Sequence, residues 1–310
     1  MTLIFRSNVD SWAAWRDALR REVRNMDCRN WDDPGDDAAV EYALVWKPPH
    51  GELRRRFPNL TTIFSLGAGV DHLLNDPDLP GGVPIVRMVE PELTRGMTEY
   101  VVLHVLRYHR AVPALEDQQR RGEWRELMTP TAPKRRVGIM GLGVIGRDCL
   151  RVLSALGFAL SGWSRTPKEI PGVECFHGAD GLTAFLAETE ILVCVLPFTA
   201  ATDNILNREL FARLPHGASL INAGRGDLQD EDDILAALES GQLAAATLDV
   251  FRQEPLPAAH PFWAHPKVTV TPHNAGMAQP WSAARTVAAN IERIGKGRAP
   301  LNIADVNAGY

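Results

Sequence analysis

Lys134-Arg-Arg-Val-Gly-Ile-Met-Gly-Leu-Gly-Val-Ile-Gly146 decides how this chain is read. Val137-Gly-Ile-Met140 is a short apolar run of strand character, and three glycines follow at Gly141, Gly143 and Gly146. Ile145, Cys149, Val152, Leu153 and Leu156 then recur at helical spacing, and Gly157 stands where a helix stops. A strand, a glycine turn and a helix in that order bring backbone N–H groups and a helix N-terminus against a pyrophosphate. A GxGxxG alone is weak evidence, but with this context on both sides it predicts a dinucleotide site.

The next strand, Phe158 to Trp163, bears on which dinucleotide. An NAD-binding unit ends this strand with an Asp or Glu that holds the ribose hydroxyls. Here Ser164, Arg165 and Thr166 stand in that place, with Lys168 just behind. A carboxylate would repel a 2′-phosphate, whereas a hydroxyl and a guanidinium fork accept it by charge-assisted hydrogen bonds. The expected cofactor is NADPH/NADP+, preferred over NADH/NAD+.

The 310 residues suffice for two domains of ordinary size. Hydrophobic content of 45% and charged content of 23% mark a soluble globular chain. A formal net charge of -5 argues against general nucleic-acid binding. Arg54-Arg55-Arg56 and Arg120-Arg121 are short enough to read as solvated helix faces. Cys28, Cys149, Cys175 and Cys194 form no CxxC and lie at no metal-ligand spacing from a His, so no metal is expected. Cys149 and Cys194 read as small core residues. No signal-peptide core opens the chain and no apolar run is long enough to span a bilayer, so a cytoplasmic protein without membrane partners is expected.

Residues 1 to about 97 alternate strand and helix. Leu3–Phe5, Ala43–Trp46, Thr61–Leu66 and Pro84–Val86 read as strands, and Asp10–Arg24 as an amphipathic helix. A longer helix starts after Pro91 and runs to about Arg110. A second series begins at Val137, with further strands at Val173–Phe176, Ile191–Leu196, Ala218–Asn222, Ala245–Asp249 and Val268–Thr271. Asp230 and Asp233 make a capping-box-like helix start, and Gly241 a stop. The last helix, about Gln279 to Lys296, returns the chain to the first domain. The expected division is therefore 1-97 plus 280-310 as a discontinuous substrate-binding domain, and 98-279 as the dinucleotide-binding domain. Pro255–Pro266 holds four prolines and reads as a rigid loop.

Three short motifs lie at strand C-terminal ends in the second series, where open α/β sheets bind ligands. Asn222-Ala-Gly-Arg-Gly-Asp227 presents Arg225, Leu248–Pro257 presents Asp249 and Glu254, and Thr271-Pro-His-Asn-Ala-Gly276 presents His273. Each has an ordinary reading taken singly. Together they supply what reversible reduction of a 2-keto acid requires. A fixed cation holds the carboxylate and polarises the carbonyl, and an imidazole oriented by a carboxylate delivers the proton.

Val137–Gly146, Asn222–Gly226, Leu248–Phe251 with Glu254–Pro257, and Thr271–His273 resemble, in order, the motifs of the D-isomer-specific 2-hydroxyacid dehydrogenase family. The resemblance covers nearly the whole chain. Leu44-Val-Trp-Lys-Pro-Pro49, Ser65–Asp71, Glu99–Val101, Trp163–Thr166 and Ala308–Tyr310 are similar to the branch that reduces glyoxylate and hydroxypyruvate. The resemblance implies two parallel-sheet α/β domains, Rossmann-like and flavodoxin-like, with the active site in the cleft between them. It implies catalytic roles for Arg225, Glu254 and His273. Cofactor contacts are implied at Gly141, Leu142, Gly143, Val144, Ile145 and Gly146, at Ser164, Arg165 and Thr166, at Leu196, Pro197 and Thr202, and at Ala223, Gly224 and Asp249, the last holding the nicotinamide carboxamide. Backbone amides of Gly67, Ala68 and Gly69 would take the substrate carboxylate opposite Arg225, and Trp46 would wall the pocket. His72, beside that turn, departs from the branch and is expected to face solvent. Asn274 after the catalytic His is also unusual there. Arg120–Trp124 is similar to a dimer arm, so a homodimer is expected. Two other readings stay open: an NAD(H)-sensing, corepressor-like binding protein built on the same fold, and a 2-hydroxyacid dehydrogenase with another substrate.

Overall fold

The computed structural model describes every residue, Met1–Tyr310. The chain divides into two compact units. The smaller joins Met1–Leu93 to Met277–Tyr310, and the larger is Thr94–Gly276. The breaks fall a few residues before those expected from the sequence.

The smaller unit opens with β1 (Thr2–Arg6), α1 (Trp12–Glu22), β2 (Asp27–Asn30) and β3 (Tyr42–Val45). It continues through α2 (Glu52–Arg56), β4 (Thr62–Ser65), α3 (Asp71–Leu74) and β5 (Ile85–Val86). The five strands are all parallel in the order β2-β1-β3-β4-β5, the flavodoxin-like winding. β1, β3 and β4 are buried along nearly their whole length, as strands covered on both faces must be. The sequence expectation missed β2. It is a polar edge strand, Asp-Cys-Arg-Asn, paired on one side only.

The helix α4 (Pro91–His109) carries the chain onward. Its first turn is capped by the buried Glu90, whose carboxylate accepts from the amides of Glu92 and Leu93 at 2.9 and 2.7 Å. The larger unit then runs α5 (Val112–Arg121), β6 (Arg136–Met140), α6 (Val144–Ala155), β7 (Ala159–Ser164), β8 (Glu174–His177) and α7 (Gly178–Ala187). It ends with β9 (Ile191–Cys194), α8 (Arg208–Phe211), β10 (Ala218–Asn222), α9 (Glu231–Ser240), β11 (Leu243–Leu248) and β12 (Val268–Val270). All seven strands are parallel in the order β12-β11-β10-β9-β6-β7-β8. The winding reverses between β6 and β9, which is the point where a doubly wound sheet opens a crevice at its C-terminal edge. Two apolar clusters lie on its faces, one around Phe185, Phe211 and Leu238 and the other around Val105, Ile139 and Leu153. Asp230 caps α9 by accepting from Asp233 N at 2.9 Å, and Gly241 ends it at φ +80°, as the sequence indicated.

The last helix, α10 (Pro280–Gly295), belongs to the smaller unit and packs on α1. Ala283, Ala284, Val287 and Ile291 form its buried face, and α1 buries Trp15, Ala18 and Leu19. No helix is long and apolar enough to cross a membrane. Cys149 and Cys194 are fully buried, as expected. Of the Arg triplet on α2, Arg56 is less solvated than its neighbours: its guanidinium lies over the Trp31 ring at 4.9 Å and pairs with Asp37.

Candidate active site

Each unit carries its own set of candidate residues. In the larger unit the glycine turn joins β6 to α6. Gly141 adopts φ +108°, and a Cβ there would meet the Val195 carbonyl oxygen at 2.9 Å. At Gly146 a Cβ would lie 1.9 Å from Gly141 O, so the helix starts in direct contact with the turn. A Cβ on Gly143 would meet nothing within 4 Å. The turn is tight on the protein side and open on the other. Gly143 also begins α6 with no side-chain cap and no acidic residue in its first turn, leaving the positive end of the helix for an anion. The cradle fits a dinucleotide pyrophosphate. Leu142 faces inward, packed on Gly162, so only its backbone serves the turn, while Val144 is exposed.

Beyond β7, Arg165, Thr166 and Lys168 are exposed. Ser164 is buried, and its hydroxyl donates to Thr166 O at 2.8 Å. The Ser therefore shapes the turn that presents Arg165. After β9, Thr202 Oγ1 accepts from Thr199 N at 2.8 Å and lies 2.9 Å from Pro197 O, folding the Pro197–Thr202 loop on itself. Ala223 is buried, and a Cβ on Gly224 would stand 2.8 Å from Leu196 O, so the loops after β9 and β10 touch through glycine.

The loop after β10 is stapled by the fully buried Asn222. Its side chain accepts from Gly224 N at 3.0 Å and donates to Arg225 O and to Gln229 Oε1. Gly226 lies so near Phe251 that a Cβ would fall 2.0 Å from its carbonyl carbon. Arg225 is held between these anchors, with Nη1 donating to Gly224 O at 2.8 Å. Arg252, which the sequence reading did not single out, braces the same region. Its Nε donates to Gln229 O and its Nη2 to Asn204 and Asp203 side chains.

His273 sits just past β12 at φ +53°, a left-handed conformation rare outside glycine. Its Nδ1 lies 2.9 and 3.0 Å from the two oxygens of Glu254. The Glu254 carboxylate also accepts from Phe251 N at 3.3 Å. An ionised carboxylate accepts only, so the Nδ1 that faces Glu254 carries a hydrogen.

Asp249 holds the His273 loop. It is 1% exposed, and its carboxylate accepts from the Thr271 hydroxyl at 2.6 Å and from the amides of Asn274 and Ala275, each at 3.0 Å. Its backbone carbonyl accepts from His273 N at 2.8 Å. Burial pushes the Asp249 carboxyl above the usual range, while Thr271, Ala275, Asn274 and the nearby His273 pull it back. Asn274 contributes through its backbone, its side chain being exposed. Behind Thr271 stands Tyr100 of α4, hydroxyl to hydroxyl at 2.7 Å. Tyr108 and His104 reach Thr247 at 2.5 and 3.3 Å. The sequence reading missed this network. Its signal was the spacing of Tyr100, His104 and Tyr108, four residues apart on one helix face.

In the smaller unit, the Gly67–Gly69 turn follows β4. Met88 N donates to Gly67 O at 3.1 Å, Arg87 Nε to Ala68 O at 3.2 Å, and Ser65 Oγ lies 3.1 Å from Gly69 O. Because a trans peptide sets N–H opposite C=O, pinning these carbonyls turns the amides of Ala68 and Gly69 the other way. The expected trio of amides narrows to two, since Gly67 N donates to Ser65 Oγ at 3.2 Å. The Trp46 ring lies on Gly67, where a Cβ would fall 2.5 Å from Cζ3. His72 corrects the sequence expectation. It is 8% exposed, lies 3.2 Å from Ser65 Oγ through Nε2, and sets its ring edge-on to Trp46 at 4.3 Å between centroids.

Residues 102–275 match the family model described as D-isomer specific 2-hydroxyacid dehydrogenase, NAD binding domain. Over the full length of both chains, the sequence is 44% identical to a protein of Serratia proteamaculans named glyoxylate/hydroxypyruvate reductase A, and 42% identical to one of that name from Yersinia enterocolitica. Among solved structures, it superposes with a TM-score of 0.96 on a D-isomer specific 2-hydroxyacid dehydrogenase from Xanthobacter autotrophicus Py2 in complex with NADPH and MES. That match has 46% identity and covers 100% of this chain and 99% of the other. The NADPH-dependent glyoxylate/hydroxypyruvate reductase of Sinorhizobium meliloti, in complex with NADP and sulfate, matches with a TM-score of 0.94 and 40% identity over 100% and 99% of the two chains.

Proposed function

The chain belongs to the D-isomer specific 2-hydroxyacid dehydrogenase family, and we propose that it is an NADPH-dependent reductase of small 2-keto acids, converting glyoxylate to glycolate and hydroxypyruvate to glycerate. The observation that carries the chemistry is the clasp of His273 Nδ1 by both oxygens of Glu254. It fixes the ring and leaves Nε2 as the proton donor. When bound, NADPH supplies the hydride that the carbonyl carbon receives. The residues of the chain do the rest. Arg225 holds the substrate carboxylate and polarises the keto oxygen. His273 delivers the proton to that oxygen, and Glu254 balances the imidazolium before the transfer. The amides of Ala68 and Gly69 take the carboxylate from their own side, and Trp46 limits the size of the group beyond the carbonyl. Asp249, besides holding the His273 loop, keeps lone pairs toward the nicotinamide carboxamide.

NADPH is favoured because Arg165 and Lys168 stand exposed beyond β7 where a ribose-binding carboxylate would be. Four unpaired thiols support a reducing, cytoplasmic setting. Trp124 and Met128, 96% and 101% exposed on the segment after α5, support a homodimer that covers them. Sedimentation tests this directly, and a monomer at micromolar concentration would refute it.

Steady-state rates with glyoxylate and hydroxypyruvate, each with NADPH and NADH, test the activity. Efficient reduction with a clear NADPH preference is expected. Replacing Arg225 by Ala should cost about 10²–10³-fold in turnover, the usual worth of an oxyanion-type contact. Unchanged turnover in that variant would refute its role.

A further inference from the structure

We propose that His72 is a positioning residue of the substrate site, locking the Gly67–Gly69 turn through Ser65 and bracing Trp46 against it. This rests on the reading that the turn receives the substrate carboxylate.

The hydrogen-bond directions around Ser65 are determined. Ser65 ends β4 and is fully buried. Its hydroxyl has one hydrogen and two lone pairs. Gly67 N can only donate to it, at 3.2 Å, and Gly69 O can only accept from it, at 3.1 Å. The hydrogen is therefore spent on Gly69 O, and one lone pair on Gly67 N. The second lone pair faces His72 Nε2 at 3.2 Å, so Nε2 carries a hydrogen and donates it. One hydroxyl thus ties both ends of the turn, and His72 fixes its rotor.

The same imidazole acts on the turn from a second side. Its ring meets Trp46 edge-on, at 74° between planes, and the six-membered ring of Trp46 also lies against Gly67. Contacts from both His72 and Gly67 leave the indole little freedom to tilt. The turn and the wall of the pocket are therefore set by one side chain, the second residue of α3. Small planar carboxylates gain most from this, because two fixed amides replace adaptable side chains.

The test compares the wild type with His72→Gln, His72→Leu and Ser65→Ala, using glyoxylate and NADPH. His72→Leu keeps an apolar side chain of similar bulk but loses the donor. We expect its KM for glyoxylate to rise about ten-fold, with a much smaller change in kcat and none in KM for NADPH. The amide N–H of His72→Gln can take the place of Nε2, so its KM should return to within about three-fold of wild type. Ser65→Ala should reproduce the rise, and it decides the matter if the Leu variant does not fold. Equal KM increases in the Gln and Leu variants, or a wild-type KM in Ser65→Ala, would overturn the proposal and leave the reductase reading intact. A wild-type enzyme that turns over neither glyoxylate nor hydroxypyruvate would overturn that reading, and this proposal with it.

Discussion

Tyr100 donates its phenolic hydrogen to Thr271 Oγ1 across 2.7 Å, and the direction is fixed by what Thr271 does next. Thr271 spends its own hydrogen on Asp249 Oδ1 at 2.6 Å, so it can only accept from Tyr100. The two hydroxyls form a one-way relay ending on the buried carboxylate that holds the His273 loop. Removing the first link with Tyr100→Phe should cost about 1 kcal/mol of stability, the net worth of one hydrogen bond. Because the loop carries His273, the proposed proton donor, kcat should fall a few-fold with little change in KM. Thr271→Val should cost more, leaving the Tyr100 hydroxyl without its acceptor and Asp249 with one donor fewer. Thermal melts and steady-state rates on both variants check this, and equal effects would break the argument.

The Glu254 clasp predicts a graded series. His273→Ala should lose roughly 10²–10⁴-fold in reduction rate, the range for a positioned general acid. Glu254→Gln keeps an acceptor for Nδ1 but removes the charge that balances the imidazolium, so its loss should be smaller but clear. Single-turnover reduction at saturating NADPH separates these effects from binding.

Gly143 and Gly146 should respond oppositely to alanine. A methyl at Gly146 would overlap the Gly141 carbonyl, so Gly146→Ala should destabilise the fold by several kcal/mol. A methyl at Gly143 meets open space in the free protein. Gly143→Ala should therefore melt like wild type while binding NADPH at least ten-fold more weakly, because the methyl stands where the pyrophosphate approaches. Calorimetric titration beside melting curves tests both halves. Unweakened NADPH binding in Gly143→Ala would remove the turn from the cofactor site.

His104 gives the larger unit an acid-sensitive point. Burial, with a smaller contribution from the Arg107 charge, pushes its pKa down to about 4. The unfolded chain thus binds a proton between about pH 6.5 and 4 that the folded chain refuses. This contribution to stability is complete above the unfolded value and is lost as pH falls through that window, by an amount on the order of 3 kcal/mol. The melting temperature should drop on acidification, and His104→Asn should flatten the drop between pH 7 and 4. An unchanged slope would assign the loss to other groups.

Much of the fold was legible because a parallel sheet covered on both faces leaves unbroken apolar runs such as Ile191-Leu-Val193. β2 was not, since an edge strand reading Asp-Cys-Arg-Asn has neither alternation nor an apolar run. Strand ends were read too long at Val195–Leu196, Asp249 and Thr271. Val195, Leu196 and Thr271 are apolar or β-forming, yet the ladder stops before all four residues and they enter the loops that carry the candidate residues. Arg225, Glu254 and His273 were visible because each follows such a strand. His72 was misread as solvent-facing: its burial comes from Ser65 at the end of β4 and from Trp46 just past β3, and no local pattern encodes contacts of that kind. The hold of Asp249 on the His273 loop was hidden likewise, because its partners sit more than twenty residues away.

The pairing of α1 with α10 sets an order on biosynthesis. Helix α1 leaves the ribosome early, whereas α10, which packs on it, is made only after the whole larger unit. That larger unit is contiguous in sequence and can complete while translation continues. The nascent protein thus acquires its larger unit first, and α1 waits for its helical neighbour until α10 emerges.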